Sequence, residues 1–129
     1  MLFKRQEGFR HVFGDPLEAG AVIFIDGKPL DMERNRIPCK IFDISPRGLK
    51  IMIEGDFREY KNKALQLEIS FVLDTTEIRG IGEIVWSKKF GKGYHYGIAF
   101  FNQPAVEDLI INELKMRRRK EVLKAKTRR

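Results

Sequence analysis

The chain has 129 residues, of which 43% are hydrophobic and 11% aromatic, enough to bury a single core without staples. Its one cysteine, Cys39, excludes an internal disulfide, and no run approaches the roughly 18 apolar residues of a membrane span, nor does an apolar core follow Met1-Leu2-Phe3-Lys4-Arg5. The net charge of +7 is uneven: the segment from Lys115 to Arg129 holds nine basic residues against Glu121, leaving the preceding 114 close to neutral. A high isoelectric point therefore describes a tail rather than a whole basic surface. The expectation is one cytoplasmic domain with no transmembrane segment, spanning 1–129.

In chain order, residues 1–14 are basic, glycine-containing and aperiodic, and are expected to form a flexible arm. Residues 19–25 make a short apolar strand, and Asp26-Gly27-Lys28-Pro29 a turn. After a polar stretch at 31–36, residues 37–44 and 49–53 form two strands joined by a turn. Residues 64–72 alternate, with Leu65, Leu67, Ile69 and Phe71 on one face. Strands at 78–86 and 94–101 flank a basic, glycine-bearing loop at 87–93. Cys39 is expected as a buried small hydrophobe, and His95, between Tyr94 and Tyr96, as a surface residue.

Six short strands with turn signals between them predict an all-β fold, a six-stranded antiparallel β-barrel over 15–103, followed by a C-terminal α-helix with a basic tail over 104–129. Asn102 or Gln103 caps that helix, with Pro104 in its first turn. Val106, Leu109, Ile110 and Leu114 form its barrel-facing stripe, which gives way after Met116 to Arg117-Arg118-Arg119-Lys120.

The most informative segment is Asp43-Ile44-Ser45-Pro46-Arg47-Gly48. Side chains alternate along a strand, so Asp43 and Ser45 point the same way. Gly48 can take a positive φ or admit another backbone closely. One reading is a plain hairpin turn in which Asp43 or Ser45 accepts a local N–H. The other is half of a binding site whose second half is the basic cluster Lys4-Arg5-Gln6-Glu7-Gly8-Phe9-Arg10.

Together the two clusters resemble the PilZ domain family, whose motifs are Arg-x-x-x-Arg near the N-terminus and Asp/Asn-x-Ser-x-x-Gly on the following strands. Asp43, Ser45 and Gly48 complete the second motif. With Phe9-Arg10 aligned to the end of the first, Gln6 occupies the first arginine position, and Arg5 stands one residue early. Gly82-Glu83-Ile84-Val85-Trp86 and Tyr96-Gly97-Ile98-Ala99-Phe100 look like the family's last two strands, so the resemblance covers most of residues 4–112.

The resemblance implies a bacterial cyclic di-GMP receptor. Ligand binding would change the arm and a barrel face and so signal to a protein partner, in motility or exopolysaccharide regulation. Carried over by position, Arg10 would hold a phosphate or guanine, Asp43 would accept from a guanine edge, and Ser45 would add a hydroxyl contact. Arg47 is a candidate phosphate contact, and Trp86 either flanks a base or packs in the core. Lys4 or Arg5 would stand in for the charge that Gln6 lacks. The alternatives are an adaptor that has lost the nucleotide, or a barrel binding nucleic acid or an anionic surface through Lys115 to Arg129. Catalysis is not expected: His11, His95 and Cys39 lack zinc-ligand spacing, and no serine sits in a nucleophile elbow. No cofactor is implied.

Overall fold

A computed structural model describes residues 10–30, 36–54 and 65–127. The polar stretches at 31–35 and 55–64, and the arm up to residue 9, lie outside them. Among these described residues there are seven strands and one helix: β1 His11–Ile25, β2 Lys28–Pro29, β3 Ile37–Ser45, β4 Gly48–Ile53, β5 Leu65–Val72, β6 Glu77–Phe90, β7 Gly93–Phe100 and α1 Pro104–Thr127. The sheet order is β2-β1-β3-β4-β7-β6-β5, every pairing is antiparallel, and β5 pairs back onto β1. Six strands thus close into the expected barrel. β2 is a two-residue extension hung on β1, where Asp26 and Gly27 take φ of 52° and 81°, the pair of positive angles a tight hairpin requires. The predicted four-residue turn is therefore two residues of turn and two of strand.

Strand lengths differ most from expectation at β1 and β6. β1 begins at His11, so residues 11–14 belong to the barrel and not to an arm: His11 pairs with Ile44 and Val12 with Asp43 before the register breaks and resumes at Leu17. The break holds Gly14-Asp15-Pro16, and proline, which has no N–H for the ladder, is tolerated at such an irregularity. That interruption hides the strand's period. β6 runs on to Phe90, and its hairpin turn is only Gly91-Lys92, with Gly91 at φ 59°. Ser87, Lys88 and Lys89, read as loop, are polar because this end of the ribbon is exposed on both faces.

Alternate residues of all six barrel strands fill the interior, among them Ile41, Ile51, Ile69, Ile78 and Tyr96, and Ile110 and Leu114 of α1 complete the core. The helix stripe is rotated from the predicted one. Leu109 is 37% exposed, whereas Glu113 is 7% exposed. Val106, Ile110, Glu113, Leu114 and Arg117 recur every three to four residues, and Leu109 lies to one side of that line. Glu113 Oε1 accepts the backbone N–H groups of Asp74 (3.1 Å), Thr75 (2.9 Å) and Thr76 (2.9 Å). A carboxylate can be buried at this place because three donors converge on it. Gln103 does cap α1, but through its carbonyl, which accepts from Val106 and Glu107. Its side-chain amide pairs instead with the Ile81 backbone, accepting at 3.1 Å and donating at 2.7 Å. No helix among the described residues is long and apolar enough to cross a membrane.

Cys39 is buried, and that burial, followed by Glu18, pushes its thiol up to about 12, so the thiolate is not formed at neutral pH. His95, expected at the surface, is buried. It does face outward from β7, but Phe90 stacks on its ring at 4.4 Å and Phe42 covers it at 4.7 Å. Burial first, then Lys50 and Lys88, lower its pKa, and burial followed by Arg118 does the same to His11. Both imidazoles bind a proton less readily in the folded chain than at their ordinary 6.5. The unfolded chain therefore holds more protons once the pH falls to about 6.5, and stability is expected to decline as the pH drops through and below that value. Thermal midpoints between about pH 7.5 and 5 measure the decline, and His95→Phe should flatten it; an unchanged slope in that variant would exclude His95 as a source.

Candidate functional site

The hairpin between β3 and β4 sets the site. Ser45 pairs with Gly48, and Pro46-Arg47 make the connection. No positive φ occurs at 46–48, and Pro46 presets the angle for the first turn position. Gly48 is therefore not used for a left-handed conformation. It is used for close approach: a Cβ there would lie 2.6 Å from the Ile98 carbonyl oxygen of β7. The Arg47 carbonyl accepts the Phe100 N–H at 2.8 Å, fixing the turn against the end of the same strand.

A register shift at Phe42 precedes the motif. Beyond it, buried Ile44 alternates with Asp43 and Ser45, so the carboxylate and the hydroxyl share the outer face, as the period-2 reading expected. The Ser45 hydroxyl lies 3.4 Å from the Gly48 carbonyl, a long local bond that keeps the turn reading partly true. Asp43 forms an ion pair with Arg10, whose guanidinium remains about half exposed. Arg47 projects toward α1, its Nε 3.7 Å from Glu107 in the first helical turn.

Trp86 is 44% exposed and is not a core residue. β6 shifts register between Ile84 and Trp86, with Val85 as the extra residue, and this turns the indole outward, opposite Gly97. A Cβ at Gly97 would stand 2.0 Å from the indole Nε1. The ring therefore lies directly over the glycine backbone, which any side chain would prevent.

Arg10, Asp43, Ser45, Arg47, Gly48 and Trp86 all line one open cleft of about 420 Å³, within the size range of small-molecule sites. Lys4, Arg5 and Gln6 fall outside the described residues. The cleft adds Lys50, Val85 and Gly97, which sequence reasoning did not single out. For Lys50 the signal was present, since it stands two residues after Gly48 on an alternating strand; for Val85 the bulge left none. No cluster of metal-ligating side chains occurs among the described residues.

The basic segment is less free than the sequence suggested, because α1 continues through it to Thr127. Arg117 donates to the Leu73 carbonyl (2.9 Å) and lies over the Phe13 ring at 5.2 Å. Lys120 meets Asp74 at 2.6 Å, and Arg118 meets His11 Nδ1 at 3.3 Å. Three of its cations are thus directed at the barrel.

The profile of the PilZ domain family matches residues 16–115, which includes the hairpin motif, both last strands and most of the buried part of α1, but not Arg10. No curated protein matches the chain in sequence. Among solved structures, the chain is similar to the PilZ domain with c-di-GMP of YcgR from Escherichia coli. The identity is 14%, the TM-score 0.63, and the match covers 92% of this chain and 95% of that one. At that identity the likeness concerns the fold, the same closed barrel with one C-terminal helix. With the family profile spanning most of its length, the chain belongs to the PilZ domain family.

Proposed function

We propose that the cleft binds cyclic di-GMP and that the protein is a cytoplasmic receptor rather than an enzyme. The observation that carries this reading is the convergence of Arg10 on Asp43, Ser45 and Gly48 in one cleft, with an exposed indole on its far wall. A cyclic dinucleotide offers two phosphates and two guanines. Arg10 supplies a fork for phosphate or the guanine Hoogsteen edge, Asp43 an acceptor for guanine N–H groups, and Trp86 a flat face for stacking. The YcgR domain, similar in fold, was solved with this ligand.

In the free protein Arg10 and Asp43 satisfy each other. Binding exchanges that pair for contacts to the ligand, and since Arg10 directly precedes β1, the exchange acts on the segment that leads into the barrel. Repositioning of that segment and of the adjoining barrel face is the signal offered to a protein partner.

Calorimetric titration with cyclic di-GMP, alongside GTP and cyclic di-AMP, tests the reading. Saturable binding of the first alone is expected. A second reading, an adaptor without ligand, rests on Gln6 standing where the family motif has arginine. No heat from the natural chain and none from Gln6→Arg would establish that reading instead, whereas binding gained in Gln6→Arg would mean an intact cleft that one side chain has disabled.

A further inference from the structure

The proposed ligand carries two negative charges, yet the N-terminal motif offers one matched arginine, and the hairpin motif's own cation, Arg47, is turned toward Glu107 of α1 at 3.7 Å. The structure places another cation inside the cleft. In register, Asp43 stands opposite Lys50, Lys50 opposite Gly97, and Gly97 opposite Trp86. These four residues form one row across β3, β4, β7 and β6, all lining the cleft. With strands about 4.8 Å apart, the row spans roughly 14 Å from the backbone of Asp43 to that of Trp86. Lys50 occupies its middle.

The surroundings of Lys50 leave its charge available. Asp43, its cross-strand neighbour, is engaged by Arg10. No carboxylate among the described residues lies within salt-bridge distance of the Lys50 ammonium, which instead stands 6.0 Å from the Phe42 ring centroid. His95, beside it on β7 and packed against the same Phe42, adds no negative charge. A half-buried lysine with an aromatic flank and no counter-ion among the described residues, set between a base-edge acceptor and a stacking surface, is an anion position.

We infer that Lys50 is the second phosphate-binding cation of the cleft, supplying from β4 the charge that Gln6 does not supply from the N-terminal segment. The inference rests on the reading of the cleft as a cyclic di-GMP site. A ligand that meets Asp43 with a base edge and Trp86 with a base face carries its phosphodiester between them, over Lys50. Lysine suits this place because its ammonium is a compact charge that needs no planar match, while the forked donor of the site is Arg10.

Trp86 is the only tryptophan, so its fluorescence reports occupancy at the row itself. Cyclic di-GMP is titrated into the natural chain, Lys50→Met and Lys50→Arg, at salt concentrations from about 50 to 200 mM. Lys50→Met should bind at least about tenfold more weakly, with a salt dependence shallower by about one phosphate contact, and Lys50→Arg should stay within about threefold of the natural chain. Natural affinity and natural salt slope in Lys50→Met would overturn the role of Lys50 and leave the receptor reading standing. Absence of binding by the natural chain would overturn both. Unfolding midpoints accompany each variant, and Lys50→Gln replaces Lys50→Met should the latter fail to fold.

Discussion

Arg10→Ala and Asp43→Ala are each expected to weaken cyclic di-GMP binding by about 10- to 100-fold, as the loss of one charge-assisted contact of about 1–3 kcal/mol requires. The two losses should not add. In the free chain the side chains form an exposed ion pair, worth at most about 1 kcal/mol. Either substitution breaks that pair in advance, so each single variant recovers the cost the ligand would otherwise meet, whereas the double variant loses both ligand contacts and recovers that cost only once, making its loss larger than the sum by the worth of the pair. Calorimetry on the four proteins closes the cycle. Because the pair is exposed, thermal midpoints should move by no more than a few degrees. Unchanged affinity in both single variants would remove these residues from the site.

The second large effect concerns stability. Glu113→Ala leaves the N–H groups of Asp74, Thr75 and Thr76 without their shared acceptor in a partly buried loop. Each hydrogen bond to a charged group is worth about 1.5–3 kcal/mol, and the three are not independent. A total loss of about 3 kcal/mol is expected, equivalent to roughly 10 °C in the unfolding midpoint. Glu113→Gln keeps one oxygen acceptor and should lose less than half of that. Lys120→Ala, which takes the partner from an Asp74 side chain only 7% exposed while the lysine itself is half exposed, should cost about 1 to 2 kcal/mol, still less than Glu113→Ala. Chemical denaturation of the three variants ranks them. Equal stability of Glu113→Ala and the natural chain would mean that the loop finds other acceptors.

The barrel was legible because its strands obey a period of two and its turns carry glycine, proline and aspartate; β3, β4 and β5 were read nearly to their ends. Legibility failed where a strand breaks its own period. Gly14-Asp15-Pro16 interrupts β1 and made its first half look like an arm, while the extra residue Val85 reverses the alternation of β6. That reversal decides whether Trp86 packs inside or lines the cleft, which no single-strand pattern can show. On α1 a spacing of three to four fits several overlapping stripes, and hydrophobicity favoured Leu109 over Glu113 because the partners of a buried carboxylate lie 37 to 39 residues away. Asp43, Ser45 and Gly48 were visible as a motif. What Gly48 does, admitting the Ile98 carbonyl rather than adopting a positive φ, depends on a strand fifty residues later.

The seam between β1 and β5 also governs how the chain reaches this structure. Ile25 pairs with Leu65 and Gly20 with Ser70, while Ala21 pairs on its other side with Ile37. β1 is thus an interior strand whose two neighbours are made well after it, the second about 40 to 50 residues later. Closing loops of that length before any contact rewards them slows folding to the order of milliseconds to seconds. During synthesis β1 is made before β5 and keeps one edge open until β5 follows, and an open strand edge invites pairing with other chains. The edge that waits is short, the six residues from Gly20 to Ile25, because the irregular segment around Pro16 belongs to the pairing with β3 and the seam with β5 begins only beyond it.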